Sequence, residues 1–427
     1  MRVMPSKRVA IAVDIGTTTI AASLVDRISG ERQAFLGTRN PQAAFGADVV
    51  ARLQAACESA DNLASLRESL NRTLEELAEQ LLQVAGVTPE ELDGIALAGN
   101  PAMEHFLLGL PVDSLAYPPF RPLFRESKRL RTGSLGWKLD LEAYLFPLPG
   151  GFVGGDLVAF LVGCRAGETP PSSPLSPHTL YLDLGTNGEM ALVSGDKIIA
   201  TSAAAGPAFE GGNLACGMPA LPGAVEKVAI SGGKLSLSTI GGRTPCGLCG
   251  SGVLDTLAEL LREGLIDASG RLLPPEEIAS SLGNRITEFN GSLSFVLYRD
   301  AAGTVFLSQD DIRQVQLAKA AIRAGMEILF QRAGIAGDDV KKVILTGSFG
   351  AVLSAEKLKN VGIFPENMVK VASFIREGAL AGVERALSTA EGFVAVDNLA
   401  RQIRVIPLSG TPAFERNFLE QMNFPKI

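Results

Sequence analysis

One short pattern occurs twice in this chain, and nothing else in the sequence constrains the fold as tightly. Val9-Ala-Ile-Ala-Val-Asp14-Ile-Gly16-Thr17-Thr18-Thr19 is matched by Leu180-Tyr-Leu-Asp183-Leu-Gly185-Thr186-Asn187-Gly188-Glu189, 169 positions later (183 minus 14). Each copy is an apolar run, an Asp, one aliphatic residue and then Gly-Thr. Each continues into a second β-rich stretch (Ile20 to Val25; Met190 to Val193), a Ser-Gly turn (Ser29-Gly30; Ser194-Gly195) and a third extended stretch. Apolar β-formers punctuated by tight-turn residues predict a strand–hairpin–strand meander in each copy. Repetition on this scale implies two domains with similar cores, and 427 residues give room for two to three domains at about 150 each.

The boundary is legible as well. Pro170, Pro171, Pro174 and Pro177 crowd a Ser-containing stretch that cannot continue a helix or a central strand. The expected organisation is an N-terminal domain over 1–165, a loop over 166–177 and a C-terminal domain over 178–427, whose last helices can pack back on the first. Apolar residues at helical spacing predict helices over 48–60, 63–84, 156–164, 252–263, 310–332 and 374–388. Gly86 and Gly264 stand where two of them should stop.

Composition removes several functions. Lys and Arg number 39 against 46 Asp and Glu, so no basic field exists for a nucleic-acid partner. Five Cys are too few for a disulfide scaffold and fit a reducing compartment. The apolar run Val9 to Ala12 is too short for a signal peptide, and no stretch reaches the roughly 18 apolar residues of a membrane span. The expectation is a soluble, cytoplasmic protein without a membrane partner.

A strand ending in Asp followed by Gly-Thr has a chemical logic. Gly16 and Gly185 let the backbone turn sharply and approach an anion closely. The hydroxyls of Thr17, Thr18, Thr19 and Thr186, with neighbouring amides and Asn187, can then donate to phosphate oxygens. Asp14 and Asp183 suit a Mg²⁺ that keeps most of its waters. One such loop is commonly just a turn; two in register imply a triphosphate held between the domains. A third strand, Val343-Ile-Leu-Thr346, runs into Gly347-Ser348-Phe349-Gly350, where Gly347, Ser348 and Gly350 allow close approach to an adenosine. No Walker-type P-loop and no Rossmann Gly-x-Gly-x-x-Gly after a strand are present, so neither of those sites is on offer.

These motifs, with Gly99-Asn-Pro-Ala-Met-Glu-His105, Gly151-Phe-Val-Gly-Gly-Asp156, Ala204-Ala-Gly-Pro-Ala-Phe-Glu-Gly-Gly212 and Cys249-Gly-Ser-Gly252, resemble the acetate and sugar kinase, heat-shock chaperone and actin superfamily. Within it the chain is similar to the ATPase region of the reductive activators of corrinoid proteins. The resemblance implies an α/β fold of two RNase H-like, actin-like ATPase domains flanking a nucleotide cleft. It implies Mg-ATP hydrolysis coupled to reduction of Co(II) to Co(I) on a corrinoid protein. Asp14–Thr19 and Asp183–Glu189 become phosphate motifs and Thr346–Gly350 the adenosine motif. The activators usually carry a ferredoxin-like domain with an iron–sulfur cluster. This chain begins at the ATPase motif and has no plant-type cluster spacing, so no iron–sulfur cluster is expected in it. The electron would then come from a separate low-potential donor such as a ferredoxin. A homodimer is one assembly left open.

Other residues carry two readings. Asp156, after Gly154-Gly155 and before an apolar run, is either a first-turn acid at a helix start or the group that polarises the attacking water. Glu210, among Gly and Pro, is either a turn acid or a catalytic contact. His105 reads as a half-buried hydrogen-bonded residue and His178 as solvated. Cys246 and Cys249 have ligand-like spacing, but the plainer reading is two small buried residues packing a glycine-rich turn. A small-molecule kinase and a nucleotide-gated assembly module are the rival functions on the same fold, and fold alone does not choose among them.

Overall fold

The computed structural model describes residues 8–164, 178–301, 303–347 and 354–426. The proline-rich loop at 166–177 and Ser348, Phe349 and Gly350 lie outside them. The first meander is β1 (Val9–Ile15), β2 (Thr19–Asp26) and β3 (Arg32–Arg39), followed by helices α1 (Val49–Glu58) and α2 (Ala60–Ala85). Next come β4 (Leu92–Gly99), α3 (Pro101–Leu108), α4 (Asp113–Ala116), β5 (Lys128–Arg131), β6 (Glu142–Leu145) and α5 (Gly155–Cys164). The second meander is β7 (His178–Leu184), β8 (Asn187–Ser194) and β9 (Lys197–Ala204). Short strands β10 (Ala224–Ser231), β11 (Lys234–Thr239) and β12 (Gly247–Leu248) precede α6 (Gly250–Arg262), and β13 (Ile286–Phe289), β14 (Ser292–Arg299) and β15 (Thr304–Ser308) precede α7 (Gln309–Ala333). The chain continues through β16 (Val340–Gly347), α8 (Ala355–Asn360), α9 (Glu366–Val369) and β17 (Ala372–Phe374). It closes with α10 (Gly378–Ser388), α11 (Gly392–Gln402), β18 (Ile403–Val405) and α12 (Pro412–Glu420).

The chain divides into two units. Unit 1 holds the described part of Met1–Ser176 with Gly195–Ala200 and Glu377–Val405; unit 2 holds Pro177–Ser194, Thr201–Arg376 and Ile406–Ile427, again over their described residues. The division cuts β9 between Ala200 and Thr201.

In unit 1 the main sheet has the order β3-β2-β1-β4-β6-β5, with β1 antiparallel to β2 and parallel to β4. Every residue of β1 is buried except Asp14, as a central strand covered on both faces requires. Helix α2 lays Leu66, Leu70, Leu74, Leu77 and Leu81 into the core shared with Ile11, Val13, Ile20 and Leu24. That three- and four-residue spacing is the apolar stripe of an amphipathic helix. Helix α5 lies against α10 so closely that a Cβ on Gly382 would stand 1.7 Å from the Ala159 carbonyl oxygen.

In unit 2 the main sheet runs β17-β16-β7-β8-β9, with β7 antiparallel to β8 and parallel to β16. The repeat in sequence is therefore a repeat in topology. A meander is flanked, on the side of its first strand, by one parallel strand that arrives later in the chain. The fold is the ASKHA, actin-like ATPase fold, as the motifs implied.

Most predicted helices stand within a few residues of their expected ends. Ser59 separates α1 from α2 and caps the latter by accepting from the Asn62 amide, and Gly86 ends α2 in a left-handed turn. The expected helix over 374–388 is a correction. Phe374 instead ends edge strand β17, paired with Leu345, and Glu377 takes a left-handed φ of 50° before α10 begins at Gly378. That backbone turn, which helical spacing does not reveal, is where the chain passes from unit 2 to unit 1.

Candidate functional site

In unit 1 the end of β1 delivers Asp14, partly exposed, to a three-residue turn leading into β2. A Cβ at Gly16 would lie 2.3 Å from the Thr19 carbonyl oxygen, so this turn closes only around glycine. Two buried asparagines hold the turn from behind. Asn40 donates through Nδ2 to the Gly16 carbonyl at 2.9 Å, and its own amide donates to the Thr18 carbonyl at 2.9 Å. Asn100 donates through Nδ2 to the Thr17 hydroxyl at 3.0 Å.

Both side chains do a second job with their oxygens. Asn40 Oδ1 accepts from the Gln42 amide at 3.0 Å, and Asn100 Oδ1 accepts from the Met103 amide at 3.1 Å, so each caps the helical turn that starts at the next residue, a proline. Neither asparagine was singled out from sequence. The signal was nonetheless present in the two Asn-Pro pairs, Asn40-Pro41 and Asn100-Pro101, which mark an N-cap followed by a helix start.

Asp156 belongs to the same neighbourhood. It is the second residue of α5, partly exposed, and its Oδ1 accepts from the Leu157 amide at 2.7 Å. Gly154 before it is so close to β4 and α3 that a Cβ there would lie 2.4 Å from the Gly99 oxygen and 2.5 Å from the Asn100 Cα. Unit 1 thus brings Asp156 to the residue that grips Thr17. Burial pushes its carboxyl up to about 6, against the pull of the Leu157, Asp156 and Gly154 amides.

His105 is fully buried rather than half-buried. Its Nδ1 faces the Pro101 oxygen at 2.7 Å and its Nε2 accepts from the Leu123 amide at 3.0 Å, which sets the neutral tautomer with the proton on Nδ1. Burial holds it down to about 4.

In unit 2 the second copy repeats the geometry with different supports. Asp183 is again the partly exposed penultimate residue of its strand, and the Gly185 amide donates to the Asn187 carbonyl at 3.1 Å to close the turn. The Thr186 hydroxyl donates to the Glu210 carboxylate, so Glu210 backs this loop as Asn100 backs the first. Strand β16 runs parallel alongside, with Thr346 opposite Asp183. Gly347 has φ 126°, and a Cβ there would meet the Leu184 oxygen at 2.2 Å and Asp183 Oδ1 at 3.1 Å. Only glycine can occupy a position at once left-handed and pressed on a neighbouring strand. Unit 2 therefore gathers Asp183, Gly185, Thr186, Glu210 and Gly347; Ser348 and Gly350 fall outside the described residues.

The two clustered cysteines sit in unlike places. Cys249 is buried at the start of α6 with Sγ 3.2 Å from the Val225 oxygen, whereas Cys246 is exposed, its Sγ 3.7 Å from the Met218 thioether. The expectation of two buried residues holds for Cys249 alone. His178, expected to be solvated, has its Nδ1 buried without a hydrogen bond among the described residues. No described helix is long and apolar enough to cross a membrane.

Comparison with known proteins places this geometry. Residues 177–427 match the family model described as the C-terminal domain of RACo, the ASKHA domain, and residues 9–167 match the RACo middle region. The chain is 32% identical over 422 residues to the corrinoid activation enzyme RamQ of Eubacterium limosum, covering 97% of this chain and 70% of that protein. It is 26% identical over 405 residues to the [Co(II) methylated amine-specific corrinoid protein] reductase of Methanosarcina barkeri, covering 85% of this chain and 67% of the relative. A solved reductive activator for a corrinoid, iron–sulfur protein superposes with a TM-score of 0.88 at 31% identity, over all of this chain and 67% of the other. With both of its halves matched in order, the chain belongs to the RACo family of reductive activators of corrinoid proteins.

Proposed function

We propose that this chain is an ATP-dependent reductive activator of a corrinoid protein, coupling ATP binding and hydrolysis to a one-electron reduction of Co(II) to Co(I). The observation that carries the reading is the match to RACo along nearly the whole chain, joined to two Asp-Gly-Thr turns each buttressed within its own unit. The donor set of those turns, carboxylate, hydroxyl and backbone amide around Gly16, which has no room for a side chain, and around Gly185, suits a magnesium triphosphate. Asp14 and Asp183 would hold Mg²⁺, which when bound neutralises charge on the phosphates.

The other roles fall to the protein. Thr17, Thr18, Thr19, Thr186, Asn187 and their glycines orient phosphate oxygens, and the loop opened by Gly347, with Ser348 and Gly350, takes the adenosine. Asp156 accepts a proton from the attacking water, with Glu210 holding Thr186 in place. An acceptor that changes state near pH 6 is ionised at neutral pH and still basic enough to act. The electron is supplied by a low-potential donor such as a ferredoxin, working in the cytoplasm. Nucleotide shifts the protein only as far as it prefers one state over another. For one electron about 59 mV corresponds to about 1.4 kcal/mol, so an uphill gap of roughly 200 mV asks for about 5 kcal/mol of preference. That is close to the ~5.5 kcal/mol that swings a two-state equilibrium from 1:99 to 99:1.

The test mixes the protein with Mg-ATP, a strong reductant and a cobalt-containing methyl-carrier protein, and follows Co(I) absorbance. ATP-dependent Co(I) that is lost in Asp14→Asn supports the reading. No ATP-dependent change across several carriers refutes it.

A further inference from the structure

Between α4 and β5 the chain runs Tyr117-Pro-Pro-Phe-Arg121-Pro-Leu-Phe-Arg125: three aromatic residues, three prolines, a leucine and two arginines in nine positions. Tyr117 is 58% exposed and Leu123 54%, and Pro118, Pro119, Arg121 and Arg125 are exposed with them. Single exposed apolar residues are ordinary; several on one loop beside cations mark a contact surface. Arg121 and Arg125 form no ion pair or side-chain hydrogen bond among the described residues. The cations that follow are engaged: Lys128 lies 4.5 Å over the Phe124 ring, Arg129 5.2 Å over Tyr144, and Arg131 pairs with Asp140 at 2.7 Å. In a chain of net charge −7, two unpaired guanidinium groups on an apolar loop are a local reversal of sign.

The loop is fixed, and what fixes it belongs to the site. Its turn closes through the Phe120 amide, which donates to the Tyr117 carbonyl at 3.0 Å, and the Arg121 amide donates to the Ser114 carbonyl at 2.6 Å. Phe120 holds a left-handed φ of 53°, an unfavourable backbone state for a bulky residue. On one side the Leu123 amide donates to His105 Nε2 at 3.0 Å and the Phe124 ring stacks on His105 at 5.5 Å. His105 lies on α3, whose N-cap Asn100 holds the Thr17 hydroxyl. On the other side a Cβ at Gly151 would stand 1.7 Å from the Phe120 oxygen, and the Phe120 and Phe152 rings lie 5.4 Å apart. Gly151 and Phe152 lead directly into Asp156. One exposed loop therefore rests on both segments that build the unit 1 site. Coupling between two ligands is reciprocal, so a partner on which nucleotide acts has to engage a part of the protein that nucleotide also biases. A corrinoid protein meets that condition by its role; a donor that only passes on an electron need not.

We propose that Tyr117–Arg125 is the surface on which the corrinoid protein docks, by way of an apolar patch ringed with Asp and Glu. Tyr117 and Leu123 enter the apolar centre, as aromatic and aliphatic anchors do, and Arg121 and Arg125 take the carboxylates at its edge. The inference rests on the reading of this chain as a corrinoid activator and adds the place of contact and the chemistry of the partner's face.

The experiment uses the full chain and the cobalt-containing methyl-carrier protein that gives ATP-dependent Co(I), and reads the carrier concentration for half-maximal Co(I) formation. Arg121→Glu with Arg125→Glu should raise that concentration about thirtyfold or more at low salt, with the maximal rate within about threefold. Hydrolysis of ATP without carrier should stay within about twofold of the parent. Arg121→Lys with Arg125→Lys keeps the charge and should cost less than about fivefold. Raising salt from about 50 to 300 mM should weaken the parent about tenfold and strengthen the Glu variant, because screening removes attraction in one and repulsion in the other. Tyr117→Ala with Leu123→Ala should cost about tenfold and keep the parent's salt dependence. An unchanged half-saturation in the Glu variant, with its circular dichroism intact, overturns the proposal. A loss that follows the concentration of the electron donor assigns the surface to that donor, and conversion of a dimer to a monomer in sedimentation with carrier half-saturation unchanged assigns it to a second copy; either overturns it. Absence of ATP-dependent Co(I) from the parent with every carrier refutes instead the activator reading on which the proposal stands.

Discussion

Replacing Asp156 by Asn should separate the stability of unit 1 from its chemistry. In the fold the Asp156 carboxyl is pushed up to about 6 by burial, against an ordinary 3.8. Each pKa unit is worth about 1.36 kcal/mol, so holding the ionised form there costs about 3 kcal/mol at most. The sign follows from linkage. Below pH 3.8 folded and unfolded chains both carry the proton and no penalty exists. As pH rises towards 6 the unfolded chain has released it and the folded one has not, so stability falls. Above 6 the whole penalty is present. Asn is neutral throughout and keeps the shape. Asp156→Asn should therefore be more stable than the parent by roughly 1–3 kcal/mol at pH 8, the lower figure reflecting the solvent its exposed edge retains, and equal to it near pH 4. The assay is urea denaturation at pH 4, 6 and 8 with the slope held common, comparing midpoints between the two proteins so that every other titrating group cancels. ATP hydrolysis by the same variant should fall by about a hundredfold or more, as loss of a positioned proton acceptor does. A variant no more stable than the parent at pH 8, or one whose advantage does not shrink towards pH 4, would refute the reasoning.

Other perturbations probe the supports. Asn100→Asp keeps the cap on α3 but loses the donor to Thr17; thermal stability should change little while nucleotide affinity by calorimetry drops about tenfold, close to the value of one hydrogen bond to a loop under load. Gly16→Ala places a methyl 2.3 Å from the Thr19 oxygen and should abolish nucleotide binding in a dye-displacement assay while the far-ultraviolet circular dichroism is kept. Asp183→Asn should weaken the Mg²⁺ dependence of hydrolysis, read as a rise of at least tenfold in the Mg²⁺ concentration for half-maximal rate. His105, held down to about 4, should show a neutral ring with its proton on Nδ1 by nitrogen NMR from pH 8 to pH 5. Its contribution to stability is whole above pH 6.5 and is lost as pH falls through about 4.

What could be read from sequence follows physical lines. The repeat is visible because a central strand covered on both faces needs an apolar run, and the carboxylate that interrupts it one residue before the strand ends, Asp14 or Asp183, then stands out. Long helices were visible through leucine spacing. The local logic failed at Phe374, whose place is decided by pairing with Leu345 and by the left-handed Glu377. Support residues were harder. Asn40 and Asn100 carry a helix-cap signal in the prolines after them, which the sequence reading passed over, and a cap's second bond, to a turn tens of residues away, leaves no periodic trace. Glu104 left no trace at all. It sits among Met103, His105 and Phe106, and full burial of an acid is a property of the neighbours that surround it, such as Gly155 at the start of α5.

The route of the chain has a consequence for synthesis. Helix α10, whose Gly382 backbone seats on Ala159, completes unit 1 only after all of 201–376 has been made for unit 2. Unit 2 in turn waits for residues at 406 and beyond: the Thr201 hydroxyl donates to the Ile406 oxygen, and the Gln316 side chain to the Met422 oxygen at 3.1 Å. Vectorial folding, in which the first domain is finished as it leaves the ribosome, is closed to this chain. A nascent chain stopped after Arg376 would leave the α5 surface bare, and protease protection of unit 1 should appear only once the stretch Glu377–Val405 has cleared the exit tunnel.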